Sequence, residues 1–384
     1  MQITFLVGNG FDMATGLDTS YATFYKWYCQ QPSLKKHIER FKKEIADDVK
    51  TGGKNWADFE IGLGQYTSRF TVDQVGKFLE CYEDAHEMIV KFLELQKDAF
   101  DFEHISDEAL TFFKNGLLKF YQDLSPQEIK IFEEMLDSDK INNSVINFLS
   151  FNYTDTLDRV VEELSKAPLK QCPIANGTRN MNVNKKIVHM HGTSTTYPVL
   201  GVDNETQIAN QDFLSVPNFN EVLLKPQSVN AIGELWHSEA EELIFKSKIV
   251  GVFGMSIGES DAKWWNVILK WLKDNPTRRL IIFWYSKNPP NGISIYRKLE
   301  ETQKAKTALC KHSALTPEEI KNISKRIHIA INTKNVLNLH LQRKNKVEDA
   351  SVLRGDVVFS EEKNGWGLTA SEKQKTAETE LVAV

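Results

Sequence analysis

The sequence is poor in cysteine and has no long apolar run. Its four cysteines, Cys29, Cys81, Cys172 and Cys310, are scattered through 384 residues. That is too sparse for a disulfide framework or a Cys-x-x-Cys zinc ribbon, and a reducing cytoplasm is the simplest setting. Nowhere do about 18 apolar residues run uninterrupted, and no charged leader precedes an apolar stretch, so neither a membrane span nor secretion is expected. A cationic excess is missing as well. The 47 Lys and Arg are mixed with 52 Asp and Glu for a net charge of −5, which argues against a nucleic-acid partner. There is no internal repeat and no low-complexity tract.

The opening stretch, Gln2 to Leu17, lacks one glycine. An apolar run from Ile3 to Val7 breaks at Gly8 and Gly10 and then continues towards an aromatic-rich segment, Ser20 to Tyr28. This reads as strand, tight turn, helix. Glycines there let the backbone approach a ligand without a Cβ clash, and the helix start offers free N–H groups to an anion. The dinucleotide fingerprint asks for a third glycine where Met13 stands, and for an acidic residue after a second strand about 20 residues on. Neither is present, so a standard dehydrogenase unit is disfavoured. Gly52-Gly53-Lys54 likewise lacks the remaining glycine and the hydroxyl residue of a Walker A loop.

What is present is an alternation of strand and helix patterns. Phe78, Tyr82, Ala85, Ile89 and Phe92 fall on one helical face, and Asn55 is placed to cap a helix anchored by Trp56 and Phe59. The region 30–140 therefore reads as a helical insertion that covers the site of the first strand. Further strands are expected at Val145 to Leu149, Ile187 to Gly192, Lys248 to Phe253, Arg279 to Tyr285 and His328 to Ile331, with helices between them. Residues 166–186 read as loop. In the Ile187 to Gly192 strand, His189 and His191 would share one face. The expected fold is α/β, a Rossmann-like doubly wound parallel sheet with a helical insertion. One domain spans 1–335, and 336–384 form a C-terminal extension whose end, 361–384, is expected to be mobile.

Four of the strand-end turns carry unusual polar residues: Gly8-Asn9-Gly10-Phe11-Asp12, Phe151-Asn152-Tyr153-Thr154, His191-Gly192-Thr193, and Gly254-Met255-Ser256 running to Asp261. Ligands of doubly wound sheets bind outside the carboxyl ends of the strands. Taken singly, each residue has an ordinary reading. Asn152 and Asp12 suit caps, His191 a hydrogen-bonded structural histidine, and Ser256 a turn.

Together with Thr19-Ser20-Tyr21-x-x-Phe24 and Trp56-x-Asp58-x-Glu60, these motifs resemble the bacterial abortive-infection AbiH family over roughly residues 2–285. The succession of glycine turn, Asn-Tyr, His-Gly and Gly-x-Ser is also similar to sirtuin-like proteins, including NAD-degrading anti-phage effectors. The resemblance implies NAD as the ligand. Asn152 would lie near the nicotinamide ribose and His191 would take the place of the histidine before glycine. Gly8 and Gly10 would approach the pyrophosphate, with Asn9, Phe11, Thr154 and Gly254 in the same cofactor site and Ser256 and Asp261 on the adenosine side. The paired-cysteine zinc module of deacetylating sirtuins is absent, as is the sirtuin Gly-Ala-Gly-x-Ser turn.

The chemistry of such a site would be hydrolysis. Nicotinamide leaves as a neutral group from a cationic one, so no general acid is needed; the site must position a water and stabilise an oxocarbenium ion. Asn152 can orient the water, His191 can accept its proton, and Asp12 can face the developing cation. No metal is required. The expectation is an NAD glycohydrolase acting in abortive-infection defence, in the cytoplasm, restrained by the helical region, by a homo-oligomer, or by the need for a phage-derived or host activator. The alternative is a non-catalytic sensor of NAD or ADP-ribose that signals through a partner. A nuclease lacks both a basic patch and a metal-carboxylate cluster.

Overall fold

The computed structural model of the chain describes residues 1–344 except 54, 103–104, 139–142, 166–168, 170–171, 175–176, 290–293, 312, 340 and 342–343. The expected tail, 361–384, lies outside the described residues. The strands are β1 (Gln2–Val7), β2 (Asn143–Ser150), β3 (Cys172–Ile174), β4 (Gly177–Val183), β5 (Val188–His189), β6 (Ile249–Phe253), β7 (Arg279–Trp284) and β8 (Ile327–Ile331). They lie in the order β3-β4-β2-β1-β6-β7-β8, and β5 pairs with the carboxyl half of β2. All pairings are parallel except β3 with β4. The chain starts at the sheet centre, builds outward on one side, and returns to build the other. This is the doubly wound Rossmann-like order, and it places a topological switch point between β1 and β6.

Between β1 and β2 lie α1 (Gly10–Thr15), α2 (Tyr21–Tyr28), α3 (Lys36–Lys50), α4 (Phe59–Tyr66), α5 (Val75–Asp98), α6 (Asp107–Leu118) and α7 (Pro126–Ser138). After β2 comes α8 (Thr156–Ser165); before β6 come α9 (Phe219–Leu223), α10 (Lys225–Ala231) and α11 (Trp236–Lys246). The remaining helices are α12 (Ala262–Asp274), α13 (Ile295–Cys310) and α14 (Pro317–Ser324).

Strands buried on both faces alternate between two cores. From β1, Ile3, Phe5 and Val7 enter the core that holds α6, α7 and α8. Leu6 enters the opposite one, with Trp264, Trp265 and Trp271 of α12. A third core lies within the insertion, where Phe24, Phe41, Phe59 and Phe78 pack with Leu200, Phe213, Phe219 and Leu223. Helices α2–α5 are thus roofed by the irregular segment that precedes α10.

Three local expectations are corrected. Residues 166–186 are not all loop: β4 pairs with β2 from Asn143 to Ile146. Its Asn180-Met181-Asn182 pattern carries little β propensity, and backbone pairing with β2 overrides it. Asn55 does not cap the helix that follows. Asp58 does, accepting from the N–H groups of Glu60 and Ile61, while the Asn55 N–H and side chain both donate to Asp48 at the end of α3. His189 and His191 do not share a face, because β5 ends at His189. His189 pairs with Asp158 at 2.9 Å, whereas His191 turns to Asp261.

Register sets the site. Val7 lies opposite Ser150 on one side and Phe253 on the other, so the turns after β1, β2 and β6 leave the sheet at one level. The first and third of these turns interlock. Gly8 and Gly10 donate their N–H groups to the carbonyls of Phe253 and Gly254, and a Cβ on Gly10 would stand 2.5 Å from the Gly254 Cα. Gly254 itself has φ +66°. Gly10→Ala is therefore expected to cost about 1–3 kcal/mol by overpacking. Gly76→Ala, in α5 with nothing within 4 Å of the new Cβ, is expected to gain about 0.4–1 kcal/mol. Urea midpoints at unchanged m-value check both.

Candidate functional site

The first group of side chains gathers where α1 and the turn after β2 meet. Asp12 is 1% exposed and accepts the Thr154 hydroxyl proton on Oδ2 at 2.6 Å. Burial pushes its pKa up to about 7; Thr154, Asn152 and Thr156 pull the other way. Among the described residues only the Thr154 contact completes a hydrogen bond. Asp12 Oδ1, both polar atoms of the Asn152 amide and Thr156 Oγ1 are buried without a protein partner. Asn152 therefore caps no helix. Buried polar atoms left this way require a water or a ligand group to satisfy them, and this set combines an acid, an amide and a hydroxyl. They suit a hydroxyl-rich ligand.

The second group is ionic. Glu60, at the start of α4, lies 2.6 Å from the ammonium of Lys225 at the start of α10. Lys225 is 1% exposed, donates to the Ser260 carbonyl at 3.1 Å, and stands 3.5 Å from Asp261 Oδ1. His191 Nε2 is 3.4 Å from the same oxygen. The Tyr153 hydroxyl shares its one proton between the Val199 carbonyl at 2.9 Å and Glu60 Oε1 at 3.1 Å. Burial works against the Lys225 charge, but Glu60, Asp261 and Asp203 outweigh it and hold this lysine above its usual range. Asp261 is buried too, yet Lys225 and His191 hold it down at about 2. Burial pushes Glu60 up to about 8 against the pull of Lys225, and Asp203 up to about 6. The ammonium thus faces ionised Asp261 on one side and, 2.6 Å away on the other, the Glu60 carboxylate, whose charge burial opposes and Lys225 favours. His191 is lowered by burial and by Lys225, with Asp261 opposing.

The two groups adjoin through the 151–153 turn. The His191 ring centroid lies 5.5 Å from that of Phe151 and 6.2 Å from that of Tyr153, the neighbours of Asn152 on either side. Other candidate residues have different surroundings. The Asn9 amide is tied to Thr19, donating to its carbonyl at 2.9 Å and accepting its hydroxyl. Phe11 is wholly buried and packs edge-to-face on Phe113 at 6.1 Å. Gly8 and Gly10 spend their N–H groups on the β6 turn, and Ser256 is exposed. Among the described residues no group of three His, Cys, Asp or Glu is placed to hold a metal ion, and no helix is long and apolar enough to cross a membrane.

Sequence reading passed over Glu60, Lys225, Asp203 and Tyr153 as site residues. Glu60 and Tyr153 stand within quoted motifs, so a signal existed. Lys225 has none, because each of its carboxylate partners is distant in sequence.

A parallel sheet in this order defines a Rossmann-like α/β protein, and the buried, partly unpartnered polar side chains at its carboxyl edge make the strand ends its candidate site. The family is shown by the sequence carried on that fold. The family model for bacteriophage abortive infection AbiH matches residues 4–284, more than half of the chain, and the protein belongs to that family. Membership implies a role in abortive-infection defence against bacteriophage. No curated protein matches the chain.

Two stability measurements probe the site. Lys225→Met strands several acids in the interior and is expected to cost about 3–5 kcal/mol; adding Glu60→Gln removes one of those acids and should recover part of the loss in chemical denaturation. Asp12 keeps its proton up to about pH 7 in the folded chain, whereas an unfolded aspartate loses it near 4. The folded state therefore binds more protons between these values, and this group destabilises the fold progressively from about pH 4 to about pH 7. Asp12→Asn is expected to flatten that decline, and an unchanged profile would show that Asp12 does not titrate there.

Proposed function

We propose that the protein is an NAD glycohydrolase that cleaves NAD to nicotinamide and ADP-ribose as the effector step of phage defence. The observation that carries this reading is the buried Asn152 amide, without a protein partner and beside Asp12 at the carboxyl ends of β1 and β2. In the proposed reaction the bond between ribose C1′ and the pyridinium nitrogen breaks, its electron pair leaves with nicotinamide, and positive charge develops at C1′. Asp12 faces that charge and offers it an anion once it loses its proton, above about pH 7. Asn152 orients a water or a ribose hydroxyl, and water forms the new C1′–O bond while His191 accepts its proton. The lowered His191 pKa supports this role, since the imidazole is then neutral and able to take a proton.

A binding-only sensor is favoured by a different observation. Lys97 of α5 is buried and pairs with Asp155 at 2.7 Å, and Glu94 accepts the Ser194 hydroxyl, so the insertion is bonded to both turns of the site. A ligand-driven shift there would reach the insertion directly.

Nicotinamide release from NAD by the purified protein separates the two. The glycohydrolase reading expects release by the wild type and a fall of about 10²–10⁴-fold in His191→Ala, with a comparable loss in Asn152→Ala, both folded by circular dichroism. Saturable binding of NAD or ADP-ribose without release would sink it in favour of the sensor.

A further inference from the structure

The buried ionic group contains more than the proposed reaction uses. His191 sits on the turn after β5, Asp261 on the turn after β6, Lys225 on α10 and Glu60 on α4, yet they form one continuous chain of contacts: 3.4 Å from His191 Nε2 to Asp261 Oδ1, 3.5 Å from that oxygen to Lys225 Nζ, and 2.6 Å from Nζ to Glu60 Oε2. All four are almost or wholly closed to solvent, with side-chain exposures from 1% to 14%. The far end of the imidazole, Nδ1, is buried and has no partner in the protein, and Asp261 Oδ1 stands at ion-pair distance from His191 and Lys225 without completing a hydrogen bond to either.

We propose that Asp261, charged and held in place by Lys225, positions His191 with its proton on Nε2 and its lone pair on Nδ1, and that Glu60 carries control of this arrangement from the helical insertion to the imidazole. An ionised carboxylate only accepts, so its charge 3.4 Å away favours the hydrogen on the nitrogen that faces it; a neutral imidazole has one such N–H, which leaves Nδ1 as its basic atom. The lowered His191 pKa agrees with a neutral ring, burial and the Lys225 charge both acting in that direction. The charged and titratable groups that bear on the ring are Asp261, Lys225 and, from α11, His237, which is itself pushed down to about 3 by burial and by Lys263. Asp261 is thus the only anion in direct contact with the ring among the described residues.

Lys225 makes this possible. A carboxylate buried beside a neutral imidazole would take up a proton unless a cation stood next to it. The ammonium reaches the same oxygen that faces Nε2, and Glu60 fixes the ammonium from the opposite side. Because Glu60 opens α4, a displacement of α4 moves Lys225, weakens the charge on Asp261 and releases the imidazole tautomer. Asp261 and Glu60 are positioning residues in this scheme; His191 alone touches the reacting proton. The inference rests on the reading of His191 as a base, and it gives the insertion a chemical means of switching that base.

The test is the protonation site of His191 in the full chain, labelled with ¹⁵N-histidine and read through two-bond ¹H–¹⁵N couplings. With nine histidines in the chain, His191→Gln identifies the signals. The wild type is expected to show Nε2–H with an unprotonated Nδ1. Asp261→Asn, whose amide also donates, should shift the ring towards Nδ1–H. Glu60→Gln, which does not touch the ring, should still change the His191 nitrogen shifts. A wild-type Nδ1–H tautomer overturns the proposal, as do identical His191 signals in the wild type and both variants. Should Asp261→Asn fail to fold, the wild-type tautomer and Glu60→Gln still decide.

Nicotinamide release by the same samples gives a separate answer. Asp261→Asn is expected to lower kcat by about 10²–10⁴-fold, the usual worth of a general base, with KM little changed. Release that persists in a folded Asp261→Asn with an altered tautomer also overturns the positioning role. A wild type with the expected tautomer but no release would overturn the glycohydrolase reading and leave the positioning of His191 standing.

Discussion

The structure depends on the burial of one ammonium. Lys225 lies among Glu60, Asp261 and Ser260 with 1% of its surface exposed, and a buried charge is tolerated only when it is paired and hydrogen-bonded. The partners come from two distant parts of the chain: Glu60 from the insertion, Ser260 and Asp261 from the turn that leaves β6. Meeting the needs of this single group therefore ties α4, α10 and the sheet edge together. Hydrophobic packing alone would not specify that arrangement, because the aromatic core of the insertion could pack against the Leu200 to Leu224 segment without fixing either to the strand ends.

The other fixed point is the backbone contact at the switch point. Gly8 and Gly10 bond to Phe253 and Gly254, so the level of the first turn relative to the third is set by main-chain atoms that admit no side chain between them. This makes the glycines of the opening motif part of the framework. Just beyond it, side-chain polar atoms of Asp12, Asn152 and Thr156 are left without a protein partner. A sheet built rigidly to its edge, with unsatisfied side chains just beyond, matches what a site needs: rigid support beneath and unspent hydrogen-bonding capacity above.

The insertion bears on the site at two places. Glu60 of α4 meets Lys225 and Tyr153, and Lys97 of α5 meets Asp155, three residues after Asn152. Both contacts involve partly or wholly buried ion pairs, which are stronger than exposed ones because little water screens them. The helical region is thus joined to the catalytic candidates by charge as well as by packing. That joint is suited to a family whose role is abortive infection, where a defence protein must respond to the state of the cell.

Much of this was readable along the chain. The apolar runs of β1, β2, β6, β7 and β8, each ending in glycine or polar residues, mark buried parallel strands because local composition reports burial on both faces. Asp12, Asn152 and His191 stood out for the same reason, as polar residues just past apolar runs. β4 was hidden because a strand with Asn180 and Asn182 forms through backbone pairing with β2 and β3 and needs no apolar pattern. Asp58 rather than Asn55 caps α4 because Asp48 competes for the Asn55 donors. His189 and His191 part company because a strand that ends early loses its alternation. Lys225 was invisible for the deepest reason: its meaning lies in partners at positions 60, 260 and 261. Periodicity and turn chemistry act over a few residues and so fix strands, helices and the candidate turns. Electrostatic pairing in a buried interior acts through space, so the company each charged residue keeps is settled only when the chain has folded.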